Sequence, residues 1–164
     1  MSSIDHAKVL AQLLIAKGWK LSLAESCTGG LVCTTLTELS GSSEWFERGY
    51  ITYSNKAKTD CLGVPAELIE SYGAVSEPVA KAMAQGAQRN AGANVGVSIT
   101  GIAGPTGGTT EKPVGTVCFG WTIPNTAGEP VTTCQTKLFS GDRQAIRQQA
   151  NEYVLASLVL LINN

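Results

Sequence analysis

The stretch 24–30 (Ala-Glu-Ser-Cys-Thr-Gly-Gly) places the strongest constraint on how this chain folds. The residues before it, 20–23, alternate polar and apolar side chains, which predicts a β-strand. The residues after it, 31–39, have apolar residues at helical spacing. A strand that leads through two glycines into a helix is typical of a ligand-binding turn, because the helix N-terminus offers unpaired N–H groups and glycines allow close approach. Ser26, at the predicted strand end, is our first candidate nucleophile.

The rest of the chain also alternates between helical and strand patterns. Apolar spacing, caps and stop signals predict helices over 4–17, 31–39, 56–62, 65–71, 76–90 and 140–162. Period-2 patterns and β-branched residues predict strands over 20–23, 46–53, 94–100, 115–123 and 131–139, the last two forming an antiparallel hairpin. This order predicts a three-layer α/β/α sandwich with a mixed sheet of about five strands. No repeat or linker interrupts residues 1–164, so we expect a single domain.

The charge distribution excludes several classes of partner. Twelve Lys and Arg residues are scattered among 13 Asp and Glu residues, and the formal net charge is −1. We therefore expect no nucleic-acid partner and no binding to an anionic membrane surface. No apolar stretch reaches the ~18 residues that a membrane helix needs, and no signal-peptide pattern is present. These features favour a cytoplasmic protein.

The cysteines and histidine argue against a metal centre. The five cysteines include no C-x-x-C pair, and His6 is the only histidine. We therefore expect reduced thiols and no metal site.

Polar residues follow the predicted strands, where open α/β sheets bind their ligands. Ser26 and Thr28 have two interpretations, because they could simply cap the next helix. A serine without a histidine partner can also be activated by a neutral lysine. Tyr53 and Lys58 follow the second strand, so a Ser–Tyr–Lys constellation is possible, with Lys56 as the competing lysine. Spacing alone does not decide which of the two lysines could activate the serine. It also leaves open that both lysines simply lie on a solvent-exposed helix face.

Two further segments are candidates for anion binding. The glycine-rich loop 101–113 is long for a compact domain, and its N–H groups could hold an oxyanion or a phosphate. It matches neither the P-loop nor the dinucleotide-binding pattern. Arg143 lies in the first turn of the last helix, where a cation is unfavourable unless it shares an anion with the helix end. That Arg143 is an ordinary surface arginine is an equally good interpretation.

Short motifs occur in order along nearly the whole chain: AESCTGG (24–30), GSSEWF (41–46), TYSN (52–55), GAVSEP (73–78), GIAGP (101–105), KPVGT (112–116) and FSGDR (139–143). Taken together, these segments resemble the CinA carboxy-terminal domain family. Several motifs in the same order are far more specific than any one of them.

The resemblance implies an α/β/α fold and the conversion of nicotinamide mononucleotide and water to nicotinate mononucleotide and ammonia. It also implies a small-molecule substrate, no cofactor and a homo-oligomer. Carried onto this sequence, the family's serine–lysine–tyrosine chemistry falls on Ser26, Tyr53 and Lys58, with Ser42 and Ser43 as competing serines. The substrate-binding residues that we expect are Thr28, Gly29, Gly30, Asn55, Gly101, Ala103, Gly104, Pro105, Lys112 and Arg143.

Two alternatives stay open at this point. The same loops could form a non-catalytic nucleotide-binding or regulatory module, or Cys27 could serve as the nucleophile instead of Ser26. Longer relatives carry an additional amino-terminal domain with a pyrophosphatase activity. Because this sequence begins at the amidohydrolase-like part, we do not expect it to have that second activity.

Overall fold

A five-stranded sheet lies between two layers of helices in a computed structural model that describes residues 1–164. The strands are β1 (Leu21–Glu25), β2 (Phe46–Ile51), β3 (Val95–Gly101), β4 (Thr116–Pro124) and β5 (Pro130–Leu138). The helices are α1 (Ser3–Lys17), α2 (Leu31–Thr37), α3 (Asn55–Leu62), α4 (Ala66–Tyr72), α5 (Glu77–Ala91) and α6 (Arg143–Asn163). A short 3-10 turn, Ser42–Glu44, precedes β2.

The sheet is mixed, with strand order β2-β1-β3-β4-β5. Strand β1 runs parallel to both β2 and β3, whereas β4 is antiparallel to β3 and to β5. The predicted three-layer sandwich with a mixed sheet of about five strands is confirmed, and so is the terminal hairpin. The carboxyl ends of β1, β2 and β3 meet at one edge of the sheet.

Helices cover both faces of the sheet. On one face, α1, α2 and α6 pack over a large core that includes Leu10, Phe119, Trp121 and Leu158. On the other face, α3 and α4 pack against α5 over a smaller cluster. All five residues of β1 are buried because this strand is central and covered on both sides. None of the six helices combines the length and apolar character needed to span a membrane.

The strand that leads into the second polar segment is shorter than predicted. Strand β2 ends at Ile51 rather than at residue 53, and Ser54 caps α3 by accepting a hydrogen bond from the Ala57 N–H. The Thr52 N–H still donates to the Glu25 carbonyl at 2.8 Å, so the chain stays beside β1 while it leaves the strand. As a result, Tyr53 lies in the connection between β2 and α3.

Candidate active site

Ser26 and Lys58 meet at the carboxyl edge of the parallel strands. Ser26 immediately follows β1, and its N–H donates to the Ile99 carbonyl of β3 at 3.0 Å, which fixes its position between the two strands. Lys58 comes from the first turns of α3, and its Nζ lies 3.1 Å from Ser26 Oγ. The structure therefore brings together the serine and one of the two candidate lysines.

The amine of Lys58 is held in an unusual environment. The residue is only 1% exposed, and its Nζ donates to the carbonyl oxygens of Thr52 at 3.0 Å and Tyr53 at 3.2 Å. Burial lowers the pKa of Lys58, because desolvation disfavours the ammonium form. A neutral amine has two N–H donors and one lone pair. With both donors directed at carbonyls, the lone pair is available to the Ser26 hydroxyl.

The competing residues lie elsewhere. The Lys56 side chain is 84% exposed and forms an ion pair with Asp60 one turn along α3. Ser42 and Ser43 lie in the 3-10 turn before β2, at the amino ends of the parallel strands, whereas Ser26 lies at their carboxyl ends. Neither Lys56 nor these serines is near the Ser26–Lys58 pair.

Tyr53 contributes its backbone and its side chain to different parts of the site. Its carbonyl oxygen lies 3.4 Å from Ser26 Oγ and accepts from Lys58 Nζ. Its side chain is 60% exposed, and its hydroxyl accepts a hydrogen bond from Arg143 Nη2 at 3.2 Å. The phenol thus lies at the entrance of the site and not between Ser26 and Lys58.

A cavity of about 290 Å³ opens over the pair. Of the predicted residues, it is lined by Ser26, Tyr53, Asn55, Lys58, Gly101, Ala103, Gly104 and Arg143. Cys27, the alternative nucleophile, also lines the cavity. The remaining lining residues were not among the predicted site residues: Ala74, Val75, Thr100, Ile102, Thr106 and Gly107. A larger hollow of about 710 Å³ lies between α1, α2 and α6, but it contains no nucleophile beside a base, so we assign the site to the smaller cavity.

Arg143 closes one side of the cavity. It lies in the first turn of α6, which Asp142 caps by accepting from the Ala145 N–H. Its Nη1 donates to the Gly104 carbonyl at 2.8 Å, in addition to the contact with the Tyr53 hydroxyl. The guanidinium therefore joins α6, the glycine-rich loop and the β2–α3 connection, and it supplies positive charge at the entrance.

Five predicted binding residues lie outside the cavity lining. Thr28 is fully buried, and the Gly29 and Gly30 N–H groups donate to the Ser26 carbonyl and the Glu25 carboxylate. Lys112 Nζ donates to the Tyr72 carbonyl at 2.7 Å, and Pro105 follows Gly104 without lining the cavity. The sequence pattern of these segments does not show which polar groups hydrogen-bond within the protein and which face the cavity.

Two charged residues beside Ser26 were missed from the sequence. Glu25 is fully buried, and its carboxylate accepts hydrogen bonds from the N–H groups at the start of α2. Arg147, one turn after Arg143 on α6, donates to the Cys27 and Thr28 carbonyls. The signals were an acid before a helix start and two arginines at i, i+4 spacing on one helix face.

Cys27 has the properties of a buried thiol. It is 6% exposed, and burial, followed by the nearby Glu25 carboxylate, raises its pKa to about 12. The thiol is therefore protonated at neutral pH, whereas a cysteine nucleophile needs a low pKa. This environment argues against Cys27 as the nucleophile. No group of three or more His, Cys, Asp and Glu residues is placed to hold a metal ion.

Comparison with known proteins places the chain among relatives of the same architecture. Residues 4–162 match the family model of the CinA C-terminal domain. Nicotinamide-nucleotide amidohydrolase PncC of Enterobacter agglomerans is 54% identical over 142 residues, which cover 87% of this chain and 84% of that protein. A CinA-like protein of Syntrophobacter fumaroxidans is 51% identical over 154 residues, but this chain spans only 34% of that longer relative. The crystal structure of the competence or damage-inducible protein from Enterobacter asburiae matches with a TM-score of 0.92 at 37% identity, covering 99% of both chains.

Proposed function

The chain belongs to the CinA C-terminal domain family, and from that membership we propose that it is a nicotinamide-nucleotide amidohydrolase with Ser26 as its nucleophile. Its reaction converts nicotinamide mononucleotide and water to nicotinate mononucleotide and ammonia. The relative from Enterobacter agglomerans, which bears the name of this activity, matches over most of its length. The observation that carries the serine mechanism is the 3.1 Å contact between Ser26 Oγ and the buried Lys58 amine.

In the first half of the reaction, Ser26 Oγ attacks the carboxamide carbon while its proton passes to Lys58 Nζ. The tetrahedral intermediate then collapses. The C–N bond breaks, Lys58 returns the proton to the departing nitrogen, and ammonia leaves behind an acyl ester on Ser26. In the second half, a water molecule attacks the ester carbon and gives its proton to Lys58. That proton returns to Ser26 Oγ as the nicotinate product departs.

The surrounding groups orient this chemistry and the substrate. The Thr52 and Tyr53 carbonyls direct the Lys58 lone pair toward Ser26. The N–H groups of Ala103, Gly104 and Thr106 in the glycine-rich loop donate to no backbone carbonyl, so they are free to bind substrate oxygens. Arg143 and the start of α6 are our candidates for the 5′-phosphate, with the Tyr53 hydroxyl holding the guanidinium until the substrate arrives.

We also propose that the enzyme acts in the cytoplasm as a homo-oligomer and needs neither a metal nor a cofactor. The scattered surface charge and the single histidine are compatible with this proposal. Light scattering on the purified protein tests the oligomer, and a mass of 17.1 kDa, that of one chain, would contradict it.

The decisive experiment measures ammonia release from nicotinamide mononucleotide in the presence of a chelator. Wild type, Ser26→Ala and the surface control Ser42→Ala are compared. We expect full activity for wild type and Ser42→Ala and none for a folded Ser26→Ala protein. Turnover by Ser26→Ala at the wild-type rate would contradict the assignment of Ser26 as the nucleophile.

The same Ser26→Ala protein tests the alternative of a binding module and the role of the phosphate. Calorimetric titration with nicotinamide mononucleotide and with the phosphate-free riboside should show much weaker binding of the riboside. Binding of the nucleotide by wild type without any ammonia release would instead favour a non-catalytic module.

A further inference from the structure

Arg147 is a charged residue that the mechanism above does not use. It extends from α6 toward the turn after the nucleophile, where its Nε donates to the Cys27 carbonyl at 3.1 Å and its Nη2 to the Thr28 carbonyl at 3.0 Å. Arg147 takes part in neither ion pair of the structure, Arg48–Glu47 or Lys56–Asp60. Its charge therefore acts on two peptide groups beside Ser26.

These contacts begin a chain of hydrogen bonds that leads back to the nucleophile. The Thr28 carbonyl that Arg147 binds belongs to the same peptide group as the Gly29 N–H, which points the opposite way because the peptide is planar. That N–H donates to the Ser26 carbonyl at 3.0 Å. The Ser26 carbonyl, in turn, shares a peptide group with the Cys27 N–H. Hydrogen bonds linked in this way polarise one another, so a cation at one end strengthens the donor at the other.

The Cys27 N–H is the free end of this chain. It donates to no backbone carbonyl, and Cys27 lines the cavity directly after Ser26. A backbone N–H of the residue after a nucleophilic serine is a common oxyanion donor in hydrolases of other folds. Its place directly after Ser26 and the absence of a carbonyl acceptor suit it to the oxygen of the tetrahedral intermediate.

Glu25 removes the competing donors at the start of α2. Its carboxylate accepts from the N–H groups of Gly30 and Val32, both at 3.1 Å, and of Cys33 at 2.9 Å. The Leu31 N–H donates to the Thr28 carbonyl. The N–H groups at the start of α2 thus already have acceptors, and they are not available to the substrate oxygen.

We propose that Arg147 is a positioning residue for the amide hydrolysis, which polarises and orients the Cys27 N–H as an oxyanion donor through the Thr28–Gly29 and Ser26–Cys27 peptides. The proposal rests on the proposed amidohydrolase function. It predicts that Arg147 contributes to the tetrahedral intermediate and not to binding of the ground-state substrate, because it does not line the cavity.

The test compares steady-state kinetics with nicotinamide mononucleotide for wild type, Arg147→Ala, Arg147→Lys and Gln149→Ala. Gln149 is a matched control, since its side chain on α6 also donates to backbone carbonyls, those of Ser140 and Ala145, away from the site. We expect Arg147→Ala to lower kcat roughly 10- to 100-fold, less than removing an oxyanion donor outright, with KM changed less than about threefold. Arg147→Lys should retain intermediate activity, and Gln149→Ala should match wild type.

Chemical rescue separates positioning from general structural support. Guanidinium chloride, added far below denaturing concentrations, should restore part of the kcat of Arg147→Ala, whereas ammonium chloride should not. Unchanged kcat in folded Arg147→Ala would overturn the proposal. So would a loss that follows the fall in melting temperature and resists rescue. If Arg147→Ala does not fold, the kcat of Arg147→Lys decides in the same way. Absence of ammonia release by wild type would instead remove the proposed function itself.

Discussion

The parallel half and the antiparallel half of the sheet differ in the kind of side chain that they bury. In the parallel half, the buried polar residues Glu25, Ser26 and Thr52 lie where β1 and β2 end, and Lys58 of α3 joins them. In the antiparallel half, the inner face of β4 carries Phe119 and Trp121, which pack against Tyr153 of α6. Its polar side chains pair locally across the hairpin, such as Thr122 with Thr132 at 2.9 Å. Parallel strands bring the starts of several loops to one edge of the sheet, and the proposed reacting groups lie at that edge. The hairpin contributes apolar packing instead.

The comparison also shows how the halves depend on each other. The glycine-rich loop begins at the end of β3, but its return is fixed by the antiparallel half, where the Ile102 N–H donates to the Thr116 carbonyl at 2.9 Å. The hairpin therefore supports one wall of the cavity without contributing a reacting group.

The largest expected effect comes from two lysines of α3 that are two residues apart. Lys58→Met removes the base beside Ser26, so we expect kcat/KM to fall on the order of 10³-fold or more. Lys56→Met removes an exposed ion pair, which water screens, so it should leave both kcat/KM and the melting temperature close to wild type. Ammonia-release kinetics and thermal unfolding of both variants check this. Equal loss of activity in the two variants would contradict the assignment of the base.

A smaller, graded effect is expected from pH. Because burial lowers the pKa of Lys58 below its ordinary value of 10.5, kcat/KM should rise about tenfold per pH unit until that lowered pKa is reached. The kinetics of ammonia release at several pH values measure this rise, and a midpoint at or above 10.5 would contradict the lowered pKa of Lys58.

Folding stability should respond to pH in the same direction. Between the lowered pKa and 10.5, the unfolded chain binds more protons at Lys58 than the folded chain does. Wild-type stability relative to Lys58→Met should therefore increase as pH rises through this window and be lowest below it. Urea unfolding of both proteins at several pH values measures the difference, and a constant difference would contradict a buried, proton-poor lysine.

The smallest effect on activity is expected in the antiparallel half. A Cβ at Gly120 of β4 would lie 2.7 Å from the Ala80 carbonyl oxygen, so Gly120→Ala should cost about 1–3 kcal/mol of stability. Its kcat and KM should stay at wild-type values well below the melting temperature.

Gly101→Ala is the matched change in the parallel half. Its Cβ would lie 2.7 Å from Val117 Cγ2 and 3.1 Å from Cys27 Sγ, at the cavity wall. Gly101→Ala should therefore lower both stability and kcat. A loss of kcat in Gly120→Ala as large as in Gly101→Ala would show that the two halves are not functionally separate.

Much of the fold was predictable because local patterns and topology rules act together. The helix caps at Ser76 and Gly18, the hairpin turn and the strand patterns are encoded within a few residues. The meeting of the Ser26, Tyr53 and Gly101 segments followed from the common edge of parallel strands. These features need no knowledge of side-chain packing.

The details of the site depend on contacts that spacing does not encode. Lys56 and Lys58 look alike in the sequence, and only the docking of α3 buries one and exposes the other. Tyr53 was noticed for its phenol, whereas its carbonyl contacts the base. Arg147 acts on residues that lie 119 and 120 positions away, so no local pattern links them.

The position of the two arginines on α6 has a consequence for biosynthesis. Ser26 and Lys58 leave the ribosome early, but the guanidinium groups that contact the Cys27, Thr28 and Gly104 carbonyls arrive with the last helix of the fold. A nascent chain that stops before α6 already contains Ser26 and Lys58, but one face of its sheet still lacks the covering helix. If Arg143 and Arg147 act as proposed, we expect hydrolysis to begin only when synthesis of the domain is nearly finished, so an incomplete chain should not consume cellular nucleotide.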